Sequence, residues 1–225
     1  MPNKQFNFFE QDNVSVDRVF RYPGSKSTAA KHFANILPPG TNEVVSPFFG
    51  GGSFELYLTG RNIRVLGSDL FEPLVNLWKH ILTDNKNLSR RAQELLLSDT
   101  REELKELQKE DYFKITNNLD RAAYLWLFYC LSWNGIPFAG LRNYVIIGRD
   151  AYLKGYEHDR MTFFDRLDVF RNSLITVDLL DYKDQLNRYP DTFTYLDPPY
   201  PVRGNLYGDS HKFHTDFNHE ELETY

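Results

Sequence analysis

Thr192-Phe193-Thr194-Tyr195-Leu196-Asp197-Pro198-Pro199-Tyr200 sets an acid, two prolines and an aromatic ring directly after a short β-prone run. Phe193 to Leu196 reads as a strand, and in open α/β sheets ligands sit at the carboxyl ends of strands. Proline fixes its own φ and pushes the residue before it into an extended conformation. Asp197 and Pro198 are therefore expected to be extended, with the Asp197 carboxylate and nearby carbonyls turned to one spot. That cluster of acceptors beside a ring suits a flat group carrying an exocyclic amine. Pro-Pro also ends strands with no further role, so these residues alone leave a site and a strand terminus equally open.

Upstream, Asn42 to Ser46 reads as a strand that runs into Pro47-Phe48-Phe49-Gly50-Gly51-Gly52-Ser53-Phe54-Glu55 and then an apolar stretch closed by Gly60. Glycines between a strand and a helix let a ligand approach the backbone. The dinucleotide fingerprint needs a third glycine where this chain has Glu55, which disfavours a pyrophosphate site. A nucleoside with a charged amino-acid tail fits better. Arg61 to Asp69 reads as a second strand, ending on an acid 19 residues past Gly50. That spacing places Asp69 to bind ribose hydroxyls, or to cap a helix that begins near Glu72. Before the glycine loop, Arg21-Tyr22-Pro23-Gly24-Ser25-Lys26 opens a helix that ends at Pro38-Pro39-Gly40. There Lys26 is placed to meet a carboxylate and Tyr22 to stack on a ring, or both belong to an ordinary turn.

Taken in order, Tyr22 to Lys26, Pro47 to Ser53, Asp69 and Asp197 to Tyr200 resemble the Dam-type DNA adenine-N6 methyltransferases, with a long insertion between the second strand and the Asp-Pro-Pro-Tyr strand. The resemblance runs from about residue 18 to the end. It implies an α/β fold with a Rossmann-like sheet that binds S-adenosyl-L-methionine. It also implies an inserted, mostly helical DNA-recognition domain over 74–170, the catalytic domain being 1–73 with 171–225. By the same resemblance, Asp197, Pro198, Pro199 and Tyr200 are catalytic. Tyr22, Lys26, Phe48, Gly50, Gly52, Asp69 and Asp197 would hold the cofactor. Asp181-Tyr182 follows an expected strand over Leu174–Val177 and looks like the family's acid-aromatic pair beside the cofactor adenine, or else a solvated helix start.

The implied reaction needs little covalent chemistry from the protein. The adenine amine is a poor nucleophile because its lone pair is delocalised into the ring, and acceptors at Asp197 and the Pro198 carbonyl would localise it. Positioning and electrostatics would carry the rate. Cys130 lies inside an apolar run and is not flanked like a nucleophile, which disfavours cytosine-C5 chemistry. An adenine in a duplex must be flipped out to reach such a pocket, where Tyr200 would stack on it for about 1–3 kcal/mol. Methylation of another amine (cytosine N4, RNA adenine) is the alternative enzyme reading, and a binding module without turnover the alternative outside enzymes.

Residues 74–170 read mostly helical. Thr100-Arg101-Glu102-Glu103 matches a capping box, and Asn118 to Trp133 is an apolar helix too short to span a bilayer. The stretch from Gly140 to Arg149 reads as a hairpin. By resemblance, DNA contacts fall on Asn134, Arg142, Asn143, Tyr144 and Arg149. Between Arg142 and Arg171 six basic residues face five acidic ones, so the local charge signal is weak.

With 225 residues, 41% of them hydrophobic and 16% aromatic, the chain can bury a sizeable core in one or two domains. A net charge of −5 means that double-stranded DNA, the expected partner, is bound by a local basic face and not by bulk attraction. One cysteine excludes an internal disulfide and suits a reducing compartment. A cytoplasmic protein of bacterial or phage-like origin, without a membrane or a metal site, is expected. Only 25 residues follow Tyr200, where the family continues with further strands. The expectation is a sheet lacking its carboxyl-terminal strands: a shortened product, one piece of a split enzyme, or a chain completed by a second subunit.

Overall fold

The computed structural model describes residues 18–108, 111–138, 140–141, 163–200 and 217–224. The expected Gly140–Arg149 hairpin, apart from Gly140 and Leu141, and the residues from 201 to 216 lie outside them.

Three parallel strands, β1 (Glu43–Ser46), β2 (Arg64–Asp69) and β3 (Ile175–Leu179), form a sheet in the order β1-β2-β3. The register sets Val44 beside Val65, Val45 beside Leu66 and Leu66 beside Thr176. Val44, Val45, Val65 and Leu66 are all buried. β1 and β2 are buried on both faces, as parallel strands covered by helices are, whereas β3 exposes Thr176 and Asp178. On the free side of β1 the Val45 N–H donates to the Phe193 carbonyl at 2.9 Å, and the Tyr195 N–H donates to the Val45 carbonyl at 2.8 Å. The expected fourth strand is thus a single parallel bridge, Val45 to Thr194. The sequence order of the sheet reverses between this segment and β1. Among the described residues, only β1 pairs with the 193–195 segment; Phe193 and Leu196 are exposed along it.

Short helices α1 (Ala30–Asn35) and α2 (Ser53–Thr59) flank β1 in sequence and pack on each other, α2 also against β2, and α3 (Glu72–Thr83) packs against β2 and β3. The helical part continues with α4 (Asn85–Ser98), α5 (Arg101–Leu107), α6 (Asn118–Leu131) and α7 (Phe163–Val169). α8 (Tyr182–Arg188) and α9 (His219–Glu223) flank the sheet's last described segments. The capping box forms as read: the Glu103 N–H donates to Thr100 Oγ1, and the Thr100 N–H donates to Glu103 Oε2 at 2.7 Å.

α6 is the helical hub. Asn117 caps it by accepting from the Asp120 N–H at 3.0 Å, and Leu125 through Leu131 are all buried. A helix apolar all round is a helix enclosed on all sides, and α6 packs on both α3 and α4. Its polar first turn is tied outward by an Arg91–Asp120 ion pair at 2.6 Å and by Arg121 to Glu72. Residue 74, where the helical part was expected to begin, lies in the first turn of α3. One hydrophobic cluster runs from Val44 in the sheet through Trp78 of α3 to Trp126 of α6. No described helix is long and apolar enough to cross a membrane.

Candidate active site

Every parallel segment ends, at its carboxyl side, in the same cleft. Residues after β1 (Pro47 to Gly52), at the end of β2 (Asp69), after β3 (Leu180 to Tyr182) and after the 193–195 segment (Asp197 to Tyr200) line an open cavity of about 960 Å3. It lies where the strand order reverses, the place at which open α/β sheets bind ligands. Of the expected site residues, Tyr22, Lys26, Phe48, Gly50, Gly52, Asp69, Asp181, Tyr182, Asp197, Pro198, Pro199 and Tyr200 all meet here.

One end of the cleft is charged. The Lys26 ammonium stands 2.6 Å from Asp197 Oδ2 and donates to the Gly24 carbonyl at 2.8 Å. The Lys26 N–H donates to Ser53 Oγ at 2.8 Å, which pins the 22–26 turn to the start of α2. Burial works against the Lys26 charge, but the hydrogen bonds to Asp197 and Tyr200 outweigh it and raise its pKa. Tyr200 OH donates to Asp197 Oδ1 at 2.9 Å, and Lys26 Nζ sits 5.0 Å from the centre of the Tyr200 ring. Both Asp197 oxygens are therefore engaged. Burial and the neighbouring Asp197 and Glu55 charges push the Tyr195 phenol up.

The glycine loop lines the cleft and is packed against protein rings as well. Gly50 and Gly52 take positive φ, +50° and +65°. A Cβ on Gly51 would meet Tyr22 Cβ at 2.4 Å, and one on Gly52 would meet Phe49 and Trp78 within 3 Å. The missing side chains admit protein rings, so the glycines let Tyr22 lie flat on the loop and let Phe49 and Trp78 back it. Trp78 Nε1 donates to the Gly50 carbonyl at 2.9 Å, so α3 holds the loop from behind.

Asp69 accepts from the Gly50 N–H at 3.0 Å and the Phe71 N–H at 2.9 Å. The first bond ties β2 to the glycine loop. The second closes a tight turn before α3, whose cap is Phe71 and not Asp69. Burial raises the Asp69 pKa against these bonds. Asp181 does cap its helix, α8, by accepting from the Lys183 N–H at 2.9 Å. The adjoining Tyr182 ring stacks on Phe48 with centroids 5.5 Å apart, and Phe217 packs on both rings at 5.4 and 5.7 Å. The pair starts a helix and lines the cleft at once.

Phe217, Tyr195 and Glu55 of the cleft lining, and Trp78 behind the glycine loop, escaped the sequence reading. Only Glu55 carried a signal, an acid inside the apolar run Phe54 to Leu58. The expected DNA-contacting residues Arg142, Asn143, Tyr144 and Arg149 lie outside the described residues. Asn134 falls in the turn of 3₁₀ helix Trp133–Gly135, and its side chain is outside the described residues too. Cys130 is buried, with its thiol pushed up by burial; it does not line the cleft. No cluster of metal-ligating side chains occurs among the described residues.

Set beside known families, residues 22–225 match the model of the D12 class N6 adenine-specific DNA methyltransferases. The chain belongs to that family. It is a methyltransferase, and its reaction is adenine-N6 methylation of DNA. Comparison with curated protein sequences returns no match. For a D12-class enzyme the cleft's charge is informative. Among the described residues the ionisable groups lining it are four carboxyls (Glu55, Asp69, Asp181, Asp197) and four tyrosines against one ammonium, Lys26. Such a lining repels phosphates and favours a ligand with positive charge. An aromatic end for a flat ring and an acidic end for a cationic group fit a nucleoside sulfonium.

Proposed function

We propose that this D12-class enzyme takes its methyl group from S-adenosyl-L-methionine and transfers it to an adenine flipped out of double-stranded DNA. The observation that carries this reading is the convergence of four parallel chain segments on one cleft, aromatic at Phe48, Tyr182 and Phe217 and charged at Lys26 and Asp197. When bound, the donor supplies an electrophilic methyl on a positively charged sulfur. Phe48, Tyr182 and Phe217 give its adenine an apolar wall. Asp69 carries lone pairs towards ribose hydroxyls while its backbone bonds hold it still, and the loop from Phe48 to Gly52 keeps its shape through Trp78 and Tyr22.

Asp197 is the acceptor for the target amine. In the structure its two oxygens are satisfied by Lys26 and Tyr200. An incoming N6 amine replaces one of them, at small net cost, because one hydrogen bond is exchanged for another. Asp197 and the Pro198 carbonyl then draw the amine hydrogens aside and localise the nitrogen lone pair, and Asp197 receives the proton the nitrogen sheds. Lys26 keeps Asp197 oriented until then. The Tyr200 ring, half exposed beside it, gives the flipped base a face to stack on.

The fold reading is a Rossmann-like sheet, supported by its parallel strands and by the reversal of strand order beside β1. Residues 74–170 are assigned to target recognition, with the catalytic part at 1–73 and 171–225. Asn134, Arg142, Asn143, Tyr144 and Arg149 are the proposed DNA contacts. The test is transfer of labelled methyl from S-adenosylmethionine to unmethylated DNA by the purified protein. Label recovered as N6-methyladenine supports the proposal. Label in cytosine, or donor binding that DNA and the D197A substitution leave unchanged with no transfer at all, overturns it.

A further inference from the structure

Glu55 is a charge buried where an apolar residue would be expected. It sits in the first turn of α2 between Phe54 and Leu56, with only 3% of its surface exposed, and that surface faces the cleft. One side chain supports its carboxyl: Ser46 Oγ, at the end of β1, donates to Oε1 at 2.7 Å. Its own backbone N–H adds to this, but among the described residues Glu55 stands in no ion pair. Lys26 and Asp197, 2.6 Å apart, largely cancel each other at a distance. Asp69 is met by two backbone N–H groups and Asp181 by one at a helix start. Of the two carboxylates near the reacting end, Asp197 is ion-paired and Glu55 is not.

We infer that Glu55 is a specificity residue: its carboxylate makes the cleft prefer a sulfonium-bearing ligand to the uncharged thioether left after methyl transfer. The inference rests on the cofactor reading above and goes beyond it by assigning the discrimination between donor and product. Turnover is favoured when the spent thioether binds less well than the fresh donor. The two differ by one methyl and one positive charge, and a buried unbalanced carboxylate senses the charge. A unit charge near a partly desolvated carboxylate changes affinity on the order of tenfold or more.

The surroundings make this charge adjustable. Burial raises the Glu55 carboxyl to about 7, against the Ser46 hydrogen bond; among charges, Asp197 raises it and Lys26 lowers it. The Tyr195 phenol, also within reach of Glu55, stays protonated. From β1 only the uncharged Ser46 bonds to it, and α1 and β2, which also pack on α2, contribute no group that shifts it. Preference for the sulfonium should therefore strengthen as pH rises through about 7 and level off above.

Calorimetric titration of the full chain with S-adenosylmethionine and, separately, S-adenosylhomocysteine from about pH 5.5 to 8.5 tests this. The ratio of the two dissociation constants should rise on the order of tenfold over that span in the native protein. In E55Q the ratio should stay near its low-pH value; this variant keeps an acceptor for Ser46 and shares every titration belonging to the ligands. S46A should move the midpoint to higher pH without changing the high-pH ratio. A native-like, pH-dependent ratio in E55Q overturns the inference, as does an equal loss of affinity for both ligands. A native protein that binds neither ligand overturns the cofactor reading itself, a result distinct from the other two.

Discussion

The two ends of the cleft are held by different physics. At one end, Phe48, Tyr182 and Phe217 meet ring against ring, and the surface they offer is non-directional and tolerant of small shifts. At the other, Lys26, Asp197, Tyr200, Ser53 and the Gly24 carbonyl form a chain of bonds between 2.6 and 2.9 Å, whose worth depends on direction and on charge state. Binding area belongs to the first end and reaction electrostatics to the second. Changes at the aromatic end should thus appear in dissociation constants, and changes at the charged end in rates.

The largest effect expected is at Asp197. D197A removes the acceptor for the amine and leaves Lys26 without its partner; loss of one preorganised charge-stabilising group costs on the order of 10³-fold in rate. Donor affinity should change far less, and the melting temperature should move by only a few degrees, because the carboxylate is partly exposed. A rate within tenfold of native would erase the distinction between the two ends.

A second test uses the stability cost of the charge at Glu55. Its carboxyl titrates near 7 in the folded chain against an ordinary 4.5. The raised value means that the stability of the neutral form is fully present below about 4.5 and is lost as pH rises through about 7. The penalty above that is on the order of 3 kcal/mol at most. E55Q should therefore match the native protein near pH 4.5 and exceed its melting temperature increasingly up to pH 7, with a constant gap beyond. A gap that does not change with pH would mean that Glu55 is no costlier charged than neutral. A buried charge that weakens the empty fold and is relieved by a cation is a compromise proteins make at functional sites.

Asp69 lies between the two ends and should behave as a binding residue. D69A removes the acceptor for the Gly50 and Phe71 N–H groups and, on the proposed reading, for the ribose. Donor affinity should fall on the order of 30-fold, about 2 kcal/mol, with the rate at saturation nearly kept. Unchanged affinity would leave Asp69 a purely structural tie between β2 and the loop. At the aromatic wall the effect is smaller still. Y182A or F48A should each weaken donor binding about tenfold through the lost ring contact, again without a matching loss of rate in single-turnover assays.

The charged end was far more legible in the sequence than the rest. Asp197 and Lys26 sit in punctuated, proline- and glycine-marked turns, and their local chemistry is written in adjacent residues. The aromatic end is assembled from positions 48, 182 and 217, and no local pattern ties Phe217 to the other two. The rings of Tyr22 and Trp78 also approach these glycines, a contact that no local pattern announced. Strand positions followed from apolar runs bounded by turn residues, whereas the 193–195 segment proved to be one bridge long because pairing depends on neighbours that sequence does not reveal. Glu55 was read only as a missing glycine. Its importance comes from burial, which depends on how α2 lies against β1.

Tyr200 distinguishes the ends most finely, because it has both a ring and a hydroxyl at the charged end. Its OH donates to Asp197 Oδ1 at 2.9 Å, and its ring faces Lys26. If stacking of the flipped base is its main role, Y200F should keep nearly all transfer, within about threefold of native, because the lost hydrogen bond is one the target amine displaces anyway. Y200A should then lose on the order of 30-fold in transfer to duplex DNA. On single-stranded DNA, where no partner base must be unpaired, its deficit should shrink. If Y200F and Y200A are equally impaired, the hydroxyl matters more than the ring. Tyr200 would then belong with Lys26 as a group that orients the Asp197 carboxylate, and the base would need another face to rest on.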